Sequence, residues 1–255
     1  MTAKPKGQCT ARLTSTMVLA TMVLATLVLA TACTSALQRL DRNLAPEIES
    51  LAGLEPINVD VAAVDHRGRR AVRVTRAANA TTRAHGESMV LLPGRAFREG
   101  TINLDVAGAP GPKAHPDDRG FIGIAFHVQP GEARYKVFYL RPTNGRADDQ
   151  LRRNHATQYV AEPEWPWQRL RQEEPGRYES YADLEAGAWT AVRIVVRGSR
   201  AELYVNAATQ PALVVTNMKV TDPSGGLALW IGSGTEGYFT NLRVTRSDDA
   251  AAAHP

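Results

Sequence analysis

From Ile57 to Arg246 apolar residues do not recur at helical spacing; they come as short β-branched or aromatic runs broken by Gly, Pro, Asn and Asp. A chain punctuated in this way can bury its hydrophobic side chains only by pairing strands, so the pattern predicts an all-β domain. Strands are expected at Asn58 to Val64, Ala71 to Thr75, Ser88 to Leu92, Thr101 to Val106, Phe121 to Val128, Tyr135 to Arg141, Thr190 to Arg197, Ala201 to Asn206, Ala212 to Val215, Gly226 to Ile231 and Phe239 to Thr245. That is too many for an immunoglobulin domain. A two-sheet antiparallel jelly-roll sandwich accommodates them, because each sheet then buries one face against the other. No Pro/Gly/Ser linker divides the region, and a β domain of this length can form one core.

Alternation along the strands assigns their faces. In Phe121 to Val128, residues Ile122, Ile124, Phe126 and Val128 make the core side, which leaves Phe121, Gly123, Ala125 and His127 on the other. Small residues beside a histidine suit the floor of a groove. In the next strand Phe138 and Leu140 point to the core, and Tyr135, Tyr139 and Arg141 away from it. In the hairpin Thr190 to Asn206 the core takes Val192, Ile194, Val196, Leu203 and Val205, while Arg193, Glu202 and Tyr204 face outward.

Upstream the layout is that of an exported protein. Lys4, Lys6 and Arg12 precede an uncharged run from Leu13 to Ala32, which is the order of a signal peptide. Ala30-Thr31-Ala32-Cys33 reads either as an A-x-A cleavage site or as a lipobox in which Cys33 is lipidated. A third reading keeps the run as an uncleaved anchor, since it is just long enough to span a bilayer. Cys9 leaves with the leader, so the mature chain holds only Cys33 and no internal disulfide. Acylating Cys33 removes a free thiol from an oxidising compartment and attaches the protein to the membrane. Leu37, Leu40, Leu44, Ile48 and Leu51 recur at helical spacing beyond it. The chain is therefore expected to divide into a signal peptide (1–32), a lipid-attachment site with a short helical tether (33–56), the sandwich (57–246) and a disordered tail (247–255). It is expected in the periplasm or at the cell surface as a lipoprotein, and otherwise as a secreted protein.

Charge adds an exclusion. The 30 Lys and Arg outnumber the 26 Asp and Glu, giving +4. Three of those cations sit in the leader, so the mature chain holds 27 against 26 and is nearly neutral. The electrostatic footprint of a nucleic-acid-binding protein is missing. Motifs exclude more. Gly232-Ser233-Gly234-Thr235-Glu236-Gly237 matches G-x-G-x-x-G after a strand, but a strand rather than a helix follows, so it reads as a glycine-rich hairpin loop and not as a dinucleotide site. There is no H-E-x-x-H, paired C-x-x-C or G-x-S-x-G. Adjacent carboxylates at Asp117-Asp118 and Asp148-Asp149 are where a Ca²⁺ would find oxygen, but no ligand series demands one, and no cofactor is expected.

One segment breaks the strand pattern. Between Arg141 and Asp183 the chain has little alternation, and connections so long in a compact domain are usually functional or disordered. Trp165, Trp167 and several tyrosines argue against disorder, so the segment is expected to fold back over the sheet. Its polar residues Arg141, Asn144, Arg146, Asp148, Asp149, Arg152, Arg153, His155 and Gln158, with Tyr159, Trp165 and Trp167, combine planar apolar surfaces with directional donors and acceptors. A sugar needs both: its C–H faces stack on rings and its hydroxyls require hydrogen-bond partners. With His127 and Tyr139 these are the candidate ligand-binding residues. A structural loop whose tryptophans plug a sandwich edge is the competing reading. For hydrolysis two carboxylates must flank a glycosidic bond. Glu179, Asp183 and Glu185 share a parity and would face the same way on a strand, so they are the candidate catalytic acids, with Asp148 and Asp149 as the competing pair.

The stretch Gly187-Ala188-Trp189-Thr190, Val192 to Gly198, Ala201-Glu202-Leu203-Tyr204-Val205-Asn206, Gly225-Gly226-Leu227-Ala228-Leu229-Trp230 and Tyr238 to Val244 resembles the concanavalin A-like lectin/glucanase superfamily, and more narrowly the laminin-G-like domains named for 3-keto-disaccharide hydrolysis. The resemblance implies a curved sandwich whose concave face and loops hold carbohydrate. Superfamily glucanases carry E-x-D-x-x-E, whereas Glu179 to Glu185 is spaced differently. Three functions stay open: carbohydrate binding, hydrolysis of a disaccharide or 3-keto-glycoside, and a laminin-G-like protein-interaction module.

Overall fold

The computed structural model describes residues 47–80, 88–94, 96–132 and 134–247. The signal peptide, Cys33, most of the tether and the C-terminal tail lie outside the described residues. Fourteen strands form two antiparallel sheets of seven. They are β1 (Glu55–Ile57), β2 (Val59–His66), β3 (Arg69–Arg76), β4 (Met89–Leu91), β5 (Gly100–Pro110), β6 (Ile122–Val128), β7 (Tyr135–Leu140), β8 (Thr157–Glu162), β9 (Glu179–Ser180), β10 (Thr190–Arg197), β11 (Arg200–Val205), β12 (Leu213–Val215), β13 (Gly226–Ile231) and β14 (Thr235–Arg246). Sheet A runs β1-β4-β13-β6-β7-β8-β9 and sheet B runs β12-β11-β10-β5-β14-β3-β2. The all-β sandwich expected from the sequence is the fold observed.

Sheet B is amphipathic in the manner alternation predicts. Val192, Ile194 and Val196 of β10 are buried, and Val192 and Ile194 register with Val205 and Leu203 of β11. Outward, Arg193 lies over the Tyr204 ring at 3.5 Å. Sheet A is different, because β6, β7 and most of β8 are buried on both faces. Ile122, Ile124, Phe138 and Leu140 occupy its inner face; a Cβ on Gly108 or Gly237 of sheet B would meet the Ile122 side chain. The opposite face carries a row in register across four strands, Gln158, Tyr139, Gly123 and Trp230. Gly123 has no side chain between its neighbours, so the Tyr139 and Trp230 rings close over it to 5.0 Å.

Three expectations need correction. The stretch 141–183 is not one long loop: it contains helix α1 (Gln150–Asn154), β8, helix α2 (Trp167–Glu173) and β9. With Thr157 to Ala161 all buried, no polar alternation marks β8 as a strand. The glycine-rich turn after Ile231 is not a hairpin, since β13 and β14 belong to different sheets and the turn crosses the sandwich edge. His127 does not floor an open groove. A bulge at Gly226/Leu227 leaves it unpaired, at φ 54°, and its buried ring lies between the Arg98 carbonyl at 2.9 Å and the Lys136 ammonium at 3.0 Å.

Candidate functional site

At the end of sheet A where Leu140 meets Ile122, β7 gives way to a tight turn, Pro142–Asn144. The turn brings Asn144 beside Arg152 of α1, whose Nε donates to Asn144 Oδ1 at 3.0 Å, while Asn144 Nδ2 donates to the His155 carbonyl at 3.1 Å. Asp149 starts α1 by accepting the Arg152 backbone N–H at 2.6 Å, the expected work of an N-cap carboxylate. Gly145 is obligatory in this turn, since a Cβ there would stand 2.3 Å from the Leu184 nitrogen. A second loop, between β5 and β6, contributes Asp117 and Arg119, and the Thr143 N–H donates to the Arg119 carbonyl at 3.3 Å. Helix α2, following Pro166, presents Trp167 and Arg171 one turn apart, with the guanidinium 4.7 Å from the indole centroid.

These elements enclose a cavity of about 600 Å³ lined by Asp117, Arg119, Phe121, Arg141, Asn144, Asp149, Leu151, Arg152, His155, Trp167 and Arg171. Large apolar side chains that remain exposed are few among the described residues, namely Leu151, Trp167 and Tyr181, and the first two line this cavity. A tryptophan left in water beside ionic groups marks a surface that gains by being covered.

Beneath the cavity Glu179 is held in a buried knot. Arg171 donates to both of its oxygens, at 3.0 and 2.6 Å, and His155 Nε2 stands 3.1 Å from Oε1. Arg141 adds its charge at 3.9 Å and donates to Tyr139 Oη at 3.0 Å, Gln158 Oε1 at 3.1 Å and the His155 carbonyl at 2.9 Å. Burial, with the neighbouring Arg171 and Arg141 charges, lowers the His155 pKa against the opposing pull of Glu179. The imidazole is neutral near pH 7, and its Nε2–H, directed at the carboxylate, leaves Nδ1 as an acceptor.

The structure thus brings together Arg141, Asn144, Asp149, Arg152, His155 and Trp167 around the cavity, with Tyr139, Gln158 and Glu179 supporting them from below. Other candidates fall elsewhere. Tyr159 points into the core, and its hydroxyl donates to the Lys219 carbonyl. Trp165 is partly buried between the Arg169 and Lys219 cations. Arg153 ties the loop to itself through the Ala147 and Asp148 carbonyls, leaving the Asp148 side chain outside the cavity lining. His127 lies five residues along β6 from Ile122, roughly 16 Å away. Asp183 and Glu185 do not share a strand with Glu179, because β9 ends at Ser180. Both are exposed and bind the same Arg146 guanidinium at 2.8 Å, which lowers the Asp183 pKa through that hydrogen bond.

Arg119, Leu151 and Arg171 were not expected in the site, whereas Phe121 was expected on the groove-facing side of its strand and does line the cavity. The i, i+4 spacing of Trp167 and Arg171 was the available signal for Arg171. Among the described residues no three His, Cys, Asp or Glu groups are disposed to hold a metal ion. Asp118 accepts from the His115 N–H and the Ser233 hydroxyl, and Asp149 caps α1.

No protein-family model matches the sequence, and no curated protein does. Solved structures do. The carbohydrate-binding module CBM66 from Bacillus subtilis aligns with a TM-score of 0.50 at 11% identity, over 76% of this chain and 96% of that one. A Bacillus subtilis protein of unknown function with a galectin-like fold aligns at 0.50 and 8% identity, over 80% and 94%. The two-sheet β-sandwich fold is shared with these structures. A sialidase aligns at 0.52 and 10% identity, this sandwich covering 82% of the present chain but 19% of the larger protein. At such identities the likeness is one of fold.

Proposed function

We propose that this protein is an exported carbohydrate-binding sandwich whose cavity between the Pro142–Asn144 turn, α1 and α2 holds a glycan. The observation that carries the reading is Trp167, with Leu151, left exposed at the rim of a cavity furnished with guanidinium, carboxamide and carboxylate groups. An apolar ring face and a hydroxyl periphery are the two features of a sugar, and each has a partner there. The fold shared with a carbohydrate-binding module supports it. A hydrolytic reading has less support: Glu179 is occupied by Arg171 and His155, Asp149 caps a helix, Asp117 pairs with Arg119 at 3.2 Å, and Asp183 and Glu185 share Arg146. The leader and Cys33 support export with lipid attachment; incorporation of labelled palmitate that is lost in Cys33→Ser distinguishes a lipoprotein from a secreted protein.

Calorimetric titration with a panel of plant and bacterial oligosaccharides tests the reading. Saturable binding without turnover is expected, and Trp167→Ala is expected to weaken it at least about tenfold, as truncation of an interface tryptophan does. The melting temperature should fall only modestly, because the side chain is already 38% exposed. Product release would establish an enzyme, and silence across the panel would favour a protein partner instead.

A further inference from the structure

We infer that the cavity selects an acidic sugar, one bearing a carboxylate, and that Arg152 is the residue that reads it. The inference rests on the carbohydrate reading of the cavity and narrows it. Four guanidinium groups line the space, those of Arg119, Arg141, Arg152 and Arg171, against the carboxylates of Asp117 and Asp149. Counting Glu179 below as well leaves one positive charge in excess, with His155 neutral.

One of the four guanidinium groups has only uncharged side-chain partners. Asp117 is committed to Arg119 at 3.2 Å, and both oxygens of Glu179 to Arg171. Arg141 is fixed by the tyrosine hydroxyl, carboxamide and carbonyl described above and lies 3.9 Å from the Glu179 carboxylate. Arg152 differs. Its side chain donates to Asn144 Oδ1 at 3.0 Å, Thr143 Oγ1 at 3.2 Å and the Thr143 carbonyl at 3.4 Å, all uncharged. Among the described residues no carboxylate lies within ion-pair distance of it.

Those bonds occupy Nε and Nη2 and hold the guanidinium in place, while Nη1 has no protein partner among the described residues. A carboxylate can accept a charge-assisted hydrogen bond from Nη1, and little side-chain entropy is lost on binding because the guanidinium is already oriented. Leu151 and Trp167 supply apolar surface in the same cavity for the ring face of that sugar.

The test titrates the protein with uronate oligosaccharides on galacturonate, glucuronate and mannuronate backbones, each beside its carboxyl-reduced neutral counterpart and with inorganic phosphate as a control. At least one uronate is expected to bind about tenfold or more tighter than its neutral form. Raising the salt to about 0.3 M should shrink that preference, since an exposed ion pair is screened, while apolar stacking is not. Arg152→Gln should bring the uronate-to-neutral ratio close to one, and the salt response of the unmodified protein gives the same information if the variant folds poorly. Equal affinities for acidic and neutral sugars would overturn the inference and leave the carbohydrate reading standing. Binding of free phosphate as tight as the uronate would also overturn it, showing a generic anion site. Silence towards every sugar would remove both.

Discussion

Replacing Glu179 by Ala is expected to destabilise the fold by about 3 kcal/mol, the lower end of what removing one partner from a buried ion pair costs. The side chain is 4% exposed and faces Arg171, His155 and Arg141, whose side chains are 35%, 19% and 7% exposed. Taking the carboxylate away leaves buried hydrogen-bond donors and Arg141 without a compensating charge, and Arg171, one-third exposed, recovers part of the loss from water. Glu179→Gln keeps the shape and an acceptor, so it should lose less. Asp183→Ala is the control, since its pairing with Arg146 lies in solvent and contributes little there. Urea denaturation separates them: a Glu179→Ala midpoint equal to that of Asp183→Ala would show that the knot contributes nothing to stability.

The second large effect concerns pH. Burial, and after it the Lys136 charge, lowers the His127 pKa from its ordinary 6.5 to about 4. The Arg98 carbonyl can only accept, so Nε2 carries the proton and Nδ1 receives the Lys136 hydrogen bond. Protonating Nδ1 would destroy that bond and set two positive charges side by side. Other charges near the pair belong to Asp222 and Arg134: Lys136 donates to the Asp222 carbonyl at 2.6 Å, and the Asp222 carboxylate is 3.3 Å from Arg134. Between pH 6.5 and 4 the unfolded chain takes up a proton at this histidine and the folded protein does not. Stability is therefore lost as pH falls through that window, by up to about 3 kcal/mol from this group. Burial also lowers Lys136 to about 8, so stability should rise again as pH goes from about 8 towards 10.5. His127→Asn tolerates the left-handed backbone at φ 54° and removes the titration. Chemical denaturation of the two proteins at pH 6.5 and 4 should give curves that diverge on acidification, and parallel loss in both would refute the assignment.

These two clusters show what was legible in the sequence and why the rest was not. The β10–β11 hairpin could be read because one of its faces meets water, so Val192, Ile194 and Val196 alternate with less buried residues. Strand β8 could not, because Thr157 to Ala161 are covered on both sides and polar residues there are hydrogen-bonded inside the protein, Gln158 to Arg141 and to two backbone carbonyls. Alternation placed His127 on a groove floor, whereas the bulge beside it breaks the period on which that inference depended. The density of polar groups between Arg141 and His155 did mark the cavity, since so many donors and acceptors need one another in a small volume. Their division into cavity-lining and supporting residues depends on Glu179, whose partners arrive from three separate segments and carry no common sequence signature.

The most direct test follows the tryptophan indole N–H signals of the labelled protein while the tightest-binding oligosaccharide is added. The chain has four tryptophans, Trp165, Trp167, Trp189 and Trp230. The Trp167 signal is expected to shift saturably with the ligand, and that of Trp189, which donates to the His66 carbonyl at 3.2 Å on the other sheet, is expected to stay in place. A shift centred on Trp189, with the Trp167 signal unmoved, would contradict the cavity as the binding site.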